Sequence, residues 1–271
     1  MILFCDILQA GQMSARFQNL RSLWHLNENN GSVTRDEINL SSGELENGPV
    51  WVNGKFGAGI EFVDSNDRIT FGNESNFDFS IINDTWSVVL WYKSVLRPDG
   101  FMIGKANDFS SDGTWIIMGN NITEGDIGVY LRNNTSGAAR RQSTAVLSPS
   151  ISANNTFHNL IVVIRGVGSR VVANSDFRIY LDGINQAVTE ASGVGLAAND
   201  EILNNRQLRL GLPPGGGSNN FTGIIDEVAI FDREITAGEA RTIYNNGIGR
   251  RTRIEQPEVM QGAPRIERED D

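Results

Sequence analysis

The chain has 271 residues, and its 33 acidic and 23 basic side chains give a formal net charge of −10 at pH 7. This acidic balance argues against nucleic acid as a partner, because phosphate binding needs a basic surface. One cysteine (Cys5) and two histidines (His25 and His158) exclude a disulfide framework and leave little for histidine-based catalysis or transition-metal binding.

The N-terminal stretch is apolar from Met1 to Cys5, but Asp6 interrupts it and neither a basic segment nor a small-residue cleavage site follows. It is also too short to span a bilayer. We predict an N-terminal arm over residues 1–21 and leave three interpretations open: a true start at Met13, a docking arm, or a degenerate targeting segment. The lack of an export signal favours assembly inside the cell over secretion.

Short apolar runs recur at roughly ten-residue spacing, which is typical of a β-sandwich. The chain is also rich in glycine, with 29 residues, as tight turns between strands require. In the run from Thr85 to Val95, a set of large side chains (Trp86, Val88, Leu90 and Tyr92) alternates with Val89 and Trp91. This pattern predicts a central strand that is covered on both faces.

Near the C-terminus, the run 223–232 places apolar residues (Ile225, Val228, Ile230 and Phe231) on what we predict to be one strand face around a central pair, Asp226-Glu227. A buried carboxylate is costly unless backbone donors, a cation or a metal satisfies it. Thr236 and Glu239 follow with the spacing of a capping box, which predicts a short helix.

Three stretches resemble the laminin-G-like, concanavalin-A-like jelly-roll family: Trp51-Val52-Asn53-Gly54-Lys55-Phe56-Gly57, Phe177-Arg178-Ile179-Tyr180-Leu181-Asp182-Gly183, and the closing block from Phe221 to Tyr244. The resemblance implies an all-β fold, an antiparallel two-sheet β-sandwich (jelly roll) with one short helix near the C-terminus. We place this domain at residues 22–249.

The resemblance also implies a structural calcium ion in some members. Calcium prefers oxygen ligands, and the first and last strands of a jelly roll pair, so Asp226 could meet Asp36 and Asn39. The alternative is that Asp226 accepts backbone hydrogen bonds and fixes a loop. The loop from Asp64 to Asp67 is a second candidate, or a plain turn.

A sugar site needs an aromatic platform with polar neighbours on exposed loops. Trp115, with Asp108, Asp112 and Asn120 on two turn-rich loops, fits that description. The alternative is that Trp115 belongs to the core.

Catalysis is not expected. Glucanases of this fold carry a strand motif E-x-D-x-(x)-E, whose carboxylates flank the glycosidic bond. The nearest string here, Glu124-Gly125-Asp126, lacks the third carboxylate. Asp226 and Glu227 are adjacent, so on a regular strand they would point to opposite faces.

The tail, residues 250–271, mixes charges of both signs with little apolar surface, and reads as a solvated tail or as a docking strap. The segment from Tyr244 to Arg250 also resembles the ends of laminin-G-like chains found in phage and environmental bacterial proteins. With the polar arms and the missing export signal, this resemblance implies a non-catalytic recognition or adhesion module, carbohydrate-binding, on a virion surface or outside the cell. Its expected partners are a glycan or cell-surface polysaccharide and, through the terminal arms, other virion proteins. The alternatives are a purely structural virion protein and the binding module of a secreted glycan-processing system.

Overall fold

The computed structural model describes residues 19–94, 100–106, 113–120, 126–133, 140–145, 155–192, 196, 200–213 and 220–245, with the backbone alone for 120, 126, 140–145 and 189–192. Over these residues the chain forms two antiparallel sheets and one α-helix, α1 (Ala237–Tyr244). The strands are β1 (Leu20–Trp24), β2 (Val33–Thr34), β3 (Gly43–Glu46), β4 (Val50–Asn53), β5 (Ala58–Phe62), β6 (Arg68–Phe71), β7 (Trp86–Lys93), β8 (Gly100–Lys105), β9 (Thr114–Asn120), β10 (Asp126–Arg132), β11 (Arg140–Ala145), β12 (His158–Ile164), β13 (Phe177–Leu181), β14 (Ile184–Asn185), β15 (Val188–Ser192), β16 (Leu208–Leu210) and β17 (Gly223–Phe231). The predicted all-β, two-sheet jelly roll with one short helix near the C-terminus is confirmed.

The described strands divide between an eight-stranded and a nine-stranded sheet. The eight-stranded sheet runs β14-β13-β12-β7-β17-β5-β4, with β1 also paired to β17. The nine-stranded sheet runs β15-β11-β10-β9-β8-β16-β6-β3-β2. The expected pairing of the first and last strands is therefore present, and β17 lies inside its sheet rather than at an edge.

An aromatic-rich core fills the space between the sheets, and its large members include Trp24, Phe62, Phe71, Trp86, Trp115 and Phe221. Strand β7 contributes the predicted side chains to this core: Trp86, Val88, Leu90 and Tyr92. Its other face is also covered, because Val89 packs in a second cluster with residues of α1. The prediction of a central strand buried on both faces is confirmed.

Helix α1 covers the side of the eight-stranded sheet that faces away from the nine-stranded sheet. Ala240 and Ile243 pack in the same apolar cluster as Tyr180 and Phe231. The predicted capping box is formed: the hydroxyl of Thr236 accepts from the Glu239 backbone N–H, and the Glu239 carboxylate accepts from the Thr236 backbone N–H. Capping satisfies backbone donors that an isolated helix end leaves free.

The domain boundaries stay predictions, since most of both terminal segments lies outside the described residues. Strand β1 begins at Leu20, so the last two residues of the predicted arm, 1–21, belong to the sandwich. Met1, Met13 and the tail 250–271 are not among the described residues. Within the described parts, no helix is long and apolar enough to cross a membrane.

Candidate functional site

The conspicuous acidic pair of the sequence lies at a junction along β17. On one edge of this strand, β5 pairs with its first part, Gly223–Ile225, and β1 pairs with its last part, Val228–Phe231. Asp226 and Glu227 occupy the gap between these partners. On the opposite edge the register with β7 shifts there, and Glu227 adopts a left-handed conformation with φ 51°. The junction is a β-bulge, which re-aims the side chains on either side of it.

Asp226 fixes the hairpin loop between β4 and β5. Its buried carboxylate accepts hydrogen bonds from the backbone N–H of Phe56 at 2.9 Å, of Glu227 at 2.8 Å, and of Lys55. Burial, and next the charge of Glu227, raise the pKa of Asp226 to about 8, and the backbone donors offset part of that rise. This geometry fits the alternative interpretation of Asp226, a carboxylate that accepts backbone hydrogen bonds and fixes a loop.

Glu227 turns toward the chain that follows β1. An oxygen of its buried carboxylate lies 2.9 Å from Nδ1 of His25. Beside it, the side-chain oxygen of Asn27 accepts from the Ala58 backbone N–H at 2.8 Å. The two adjacent carboxylates are thus buried at separate structural contacts, so they cannot flank a sugar bond as an acid pair does.

The calcium ligands proposed from the sequence have other partners in this structure. Asp36 accepts from the backbone N–H groups of Leu23 and Ile38, both at 3.0 Å, and Asn39 donates its side-chain amide to the Arg21 carbonyl. The carboxylates of Asp36 and Asp226 already accept hydrogen bonds from backbone N–H groups, which does not fit the oxygen-rich shell that calcium needs. No group of three or more His, Cys, Asp or Glu residues in the described parts could hold a metal. Calcium binding stays a prediction, and no function is derived through it.

The second calcium candidate is organised as a turn. The Asp67 carboxylate accepts from the backbone N–H of Val63 at 2.8 Å and of Asp64 at 2.9 Å, while Asp67 itself is buried. Asp side chains commonly stabilise turns by bonding nearby backbone donors. The geometry fits the plain-turn interpretation of this loop.

Trp115 requires a correction as a ligand platform. It is 1% exposed and packs against Trp86, with ring centroids 6.4 Å apart, and against Phe79. The alternation of β9 turns Trp115 into the core, so the indole is not exposed to a ligand. Asp108 and Asp112 lie outside the described residues, and Asn120 is described by its backbone only.

A different surface gathers groups suited to a ligand. The strand registers align one row of residues across the nine-stranded sheet on the side away from the core: Glu44, Thr70, Arg209, Gly104, Ile116 and Tyr130. We call this surface the outer face. Tyr130 is partly exposed and packs on a buried apolar floor that includes Phe101 and Met118.

Cationic side chains stand beside this row. Arg209 projects to the outer face because its neighbours Leu208 and Leu210 belong to the core. Arg68 is on the same face and forms an ion pair with Glu46. The alternation Leu-Arg-Leu was visible in the sequence, but the strands that bring these arginines together are distant in the chain. Sequence reasoning therefore missed the outer face.

A further concave space among the described residues is small and mainly polar. A cleft of about 390 Å³ lies where β1 begins and β17 ends. Most of its charged side chains are ion-paired: Arg21 with Asp232, Glu234 with Arg165, and Arg233 with Glu239. Because these charges neutralise one another, the cleft is a weaker candidate than the outer face.

Comparison with known protein families identifies the class of fold. A family model, Laminin_G_3, described as the concanavalin A-like lectin/glucanases superfamily, matches residues 63–241, which is more than half of the 271 residues. The chain belongs to this superfamily. The resemblance seen in the sequence is confirmed. No curated protein matches the chain significantly.

Solved structures with this superfamily fold include several binding domains. The binding domain of Paraclostridial Mosquitocidal Protein 1 has a TM-score of 0.63 and 15% identity, over 86% of this chain and 53% of that one. The receptor binding domain of botulinum neurotoxin C/D mosaic serotype has a TM-score of 0.60 and 16% identity, over 84% and 51%. The chain thus spans about half the length of these toxin domains.

A third similar structure is covered almost completely. Domain 4 of AbnA, a GH43 extracellular arabinanase from Geobacillus stearothermophilus, was solved in complex with arabinotriose and has a TM-score of 0.54 and 13% identity, over 83% of this chain and 97% of that one. At such low identities the likeness shows a shared fold, while function depends on the site.

Proposed function

We propose that this chain is a non-catalytic carbohydrate-recognition module that binds a glycan on its outer face. The observation that carries the proposal is the row across the nine-stranded sheet, which combines the aromatic ring of Tyr130 with the charged groups of Arg209 and Glu44. Sugar recognition needs an aromatic surface together with a few fixed polar groups.

The dimensions of the outer face suit an extended ligand. Arg209 and Tyr130 are separated by three strand spacings through β16, β8, β9 and β10, which is about 14 Å. Gly104 and Ile116, which lie between them in the row, are buried, so a ligand would contact the partly exposed residues on either side of them. A chain of several sugars is therefore a better match than a single ring.

The comparisons support a binding role in general terms. Superfamily membership, a similar domain solved with arabinotriose and similar toxin domains described as receptor-binding all agree with a recognition module. The absence of catalysis is part of the proposal: the described acidic pair, Asp226 and Glu227, is buried at structural contacts. Glu124 lies outside the described residues.

A location outside the cell is proposed on the same grounds, since the similar domains include one from an extracellular enzyme. The virion-surface role stays a prediction from the sequence. Its test is whether antibodies against this chain label intact particles purified from a producing culture.

The decisive experiment is a glycan array with the purified chain, repeated with Tyr130→Leu. Leucine keeps the apolar contact with the floor but removes the aromatic ring, so we expect about tenfold weaker binding to the best glycan. Ile184→Ser is the matched control, because Ile184 is exposed on the other sheet. Silence of the wild-type chain on the array, or equal binding by Tyr130→Leu, would contradict the proposal.

A further inference from the structure

Arg209 is placed unusually for a surface arginine in an acidic protein. It is partly buried in the middle of the outer face, and its Nε is shielded from solvent without a hydrogen-bond partner. In the described parts of the chain, no carboxylate forms an ion pair with Arg209, although acidic residues outnumber basic ones. A partly buried cation without an anion is costly.

The nearest charged neighbour adds to that cost. Arg68 stands on the adjacent strand, next to Thr70, which is the register partner of Arg209. Burial, and next the positive charge of Arg68, lower the pKa of Arg209, and Glu46 partly compensates. Glu46 forms its ion pair with Arg68. Two guanidinium groups therefore share one carboxylate.

A purely structural role would explain less. An arginine stem can cover apolar surface while its head reaches water, but that role gives no reason to place the head group close to a second cation, Arg68. A planar anion on the ligand would supply what the protein does not: two oxygens that accept the paired N–H groups of a guanidinium.

We propose that Arg209, assisted by Arg68, is a carboxylate-binding subsite of the outer face, so that the module selects glycans containing acidic sugars. This inference rests on the proposed sugar-binding function. Carboxylate-bearing sugars are of two kinds, uronic acids and sialic acids, and both offer the same planar group. Tyr130, about 14 Å along the row, would then contact a more distant ring of the same glycan.

The test is calorimetric titration of the full chain with four probes: tetragalacturonate, its methyl ester, sialyllactose, and neutral arabinotriose. We expect tetragalacturonate or sialyllactose to bind best. Preference for tetragalacturonate would indicate a uronic acid ligand, and preference for sialyllactose a sialic acid ligand. Methyl esterification should weaken tetragalacturonate binding, and Arg209→Gln should weaken binding of the preferred acidic probe by about tenfold to a hundredfold. Arg209→Lys keeps the positive charge but loses the paired N–H groups of the guanidinium. Its affinity for the acidic probe should therefore lie between those of the wild type and Arg209→Gln.

Arg206→Gln is the matched control, because Arg206 is exposed and lies just before β16. It should bind as the wild type does. Retained binding of arabinotriose and an unchanged thermal midpoint show that Arg209→Gln is folded. Equal acidic-probe binding by Arg209→Gln, or a wild-type preference for arabinotriose or for the methyl ester, would overturn the subsite and leave sugar binding intact. Absence of binding to every glycan would overturn the proposed function itself.

Discussion

The Asp226 carboxylate accepts a hydrogen bond at 2.9 Å from the backbone N–H of Phe56, a residue 170 positions earlier in the chain. This contact joins the β4–β5 hairpin loop to the bulge in the closing strand. The two stretches that most resemble the superfamily are therefore parts of one contact. Their contact is structural, and the ligand surface that we propose lies on the other sheet.

The first prediction concerns pH. Because the pKa of Asp226 is raised to about 8 in the folded chain, the folded state holds the proton more tightly than the unfolded state, where the pKa is about 3.9. Stability from this group is therefore present below about pH 4 and is lost as pH rises toward about 8, by at most about 1.4 kcal/mol per pH unit.

Asp226→Asn should remove this pH dependence of stability. It should also lower the free energy of unfolding by about 1–3 kcal/mol at pH 5, because the side-chain amide nitrogen would face a backbone N–H donor. Urea unfolding between pH 5 and pH 9 measures both effects. Asp64→Asn, in an exposed turn, is the control and should follow the wild-type curve. Parallel curves for Asp226→Asn and wild type would refute the assignment.

A second prediction tests the hairpin loop. A Cβ on Gly54 would lie 2.3 Å from the Ala58 carbonyl oxygen and 2.6 Å from an Asp226 oxygen. Gly54→Ala should therefore destabilise the chain by about 1–3 kcal/mol. Gly72→Ala, whose nearest atom would be 3.8 Å away, should change stability by less than about 0.5 kcal/mol. Equal midpoints in urea for the two variants would show that the loop can move aside.

A third prediction concerns the buried cation Lys105. Its Nζ donates to the Glu74 carbonyl at 3.0 Å and carboxylate at 2.6 Å, and also bonds Asp78. Lys105→Met should cost about 3 kcal/mol, the lower end for a broken buried pair, because both carboxylates are about one-third exposed and regain some water. Urea unfolding measures the loss. Arg206→Gln should leave the free energy of unfolding almost unchanged. If Lys105→Met also leaves it unchanged, the ion pairs of Lys105 add no net stability.

A fourth prediction concerns metal removal. Asp36 and Asp226 already accept backbone hydrogen bonds, so EDTA should leave the thermal midpoint unchanged, and added calcium should not raise it. A ligand that binds the folded state alone always raises stability. A rise with calcium, lost in Asp226→Asn and retained in Asp64→Asn, would instead support the site proposed from the sequence.

The sequence predicts those parts of the fold in which a single strand or helix follows a regular residue spacing. The alternation in β7 and the spacing of Thr236 and Glu239 are local patterns, and both features appear as expected. The bulge at Glu227 was not predictable, because an extra residue shifts the period only when the neighbouring strands are known. Phe231 was assigned to the face of Ile225 but packs on the opposite side, under α1.

The candidate site was harder to predict because its parts are distant in sequence. Trp115 looked like a platform owing to the polar loops beside it, and only the packing of three aromatic rings shows it to be core. Arg209 and Arg68 belong to strands that meet only after folding. No local pattern marks such a pair, although Leu-Arg-Leu marks the face of one of them.

The position of β17 between β7 and β5, and beside β1, also governs when the sandwich can form. During synthesis, β1, β5 and β7 leave the ribosome long before β17, so the edges that pair with β17 stay unpaired until then. Long-range pairings of this kind make folding slow and leave intermediates prone to association. A ribosome-bound chain that stops short of Gly223 would therefore lack the strand that joins β1, β5 and β7, and we expect the complete eight-stranded sheet to form only after this strand has left the exit tunnel.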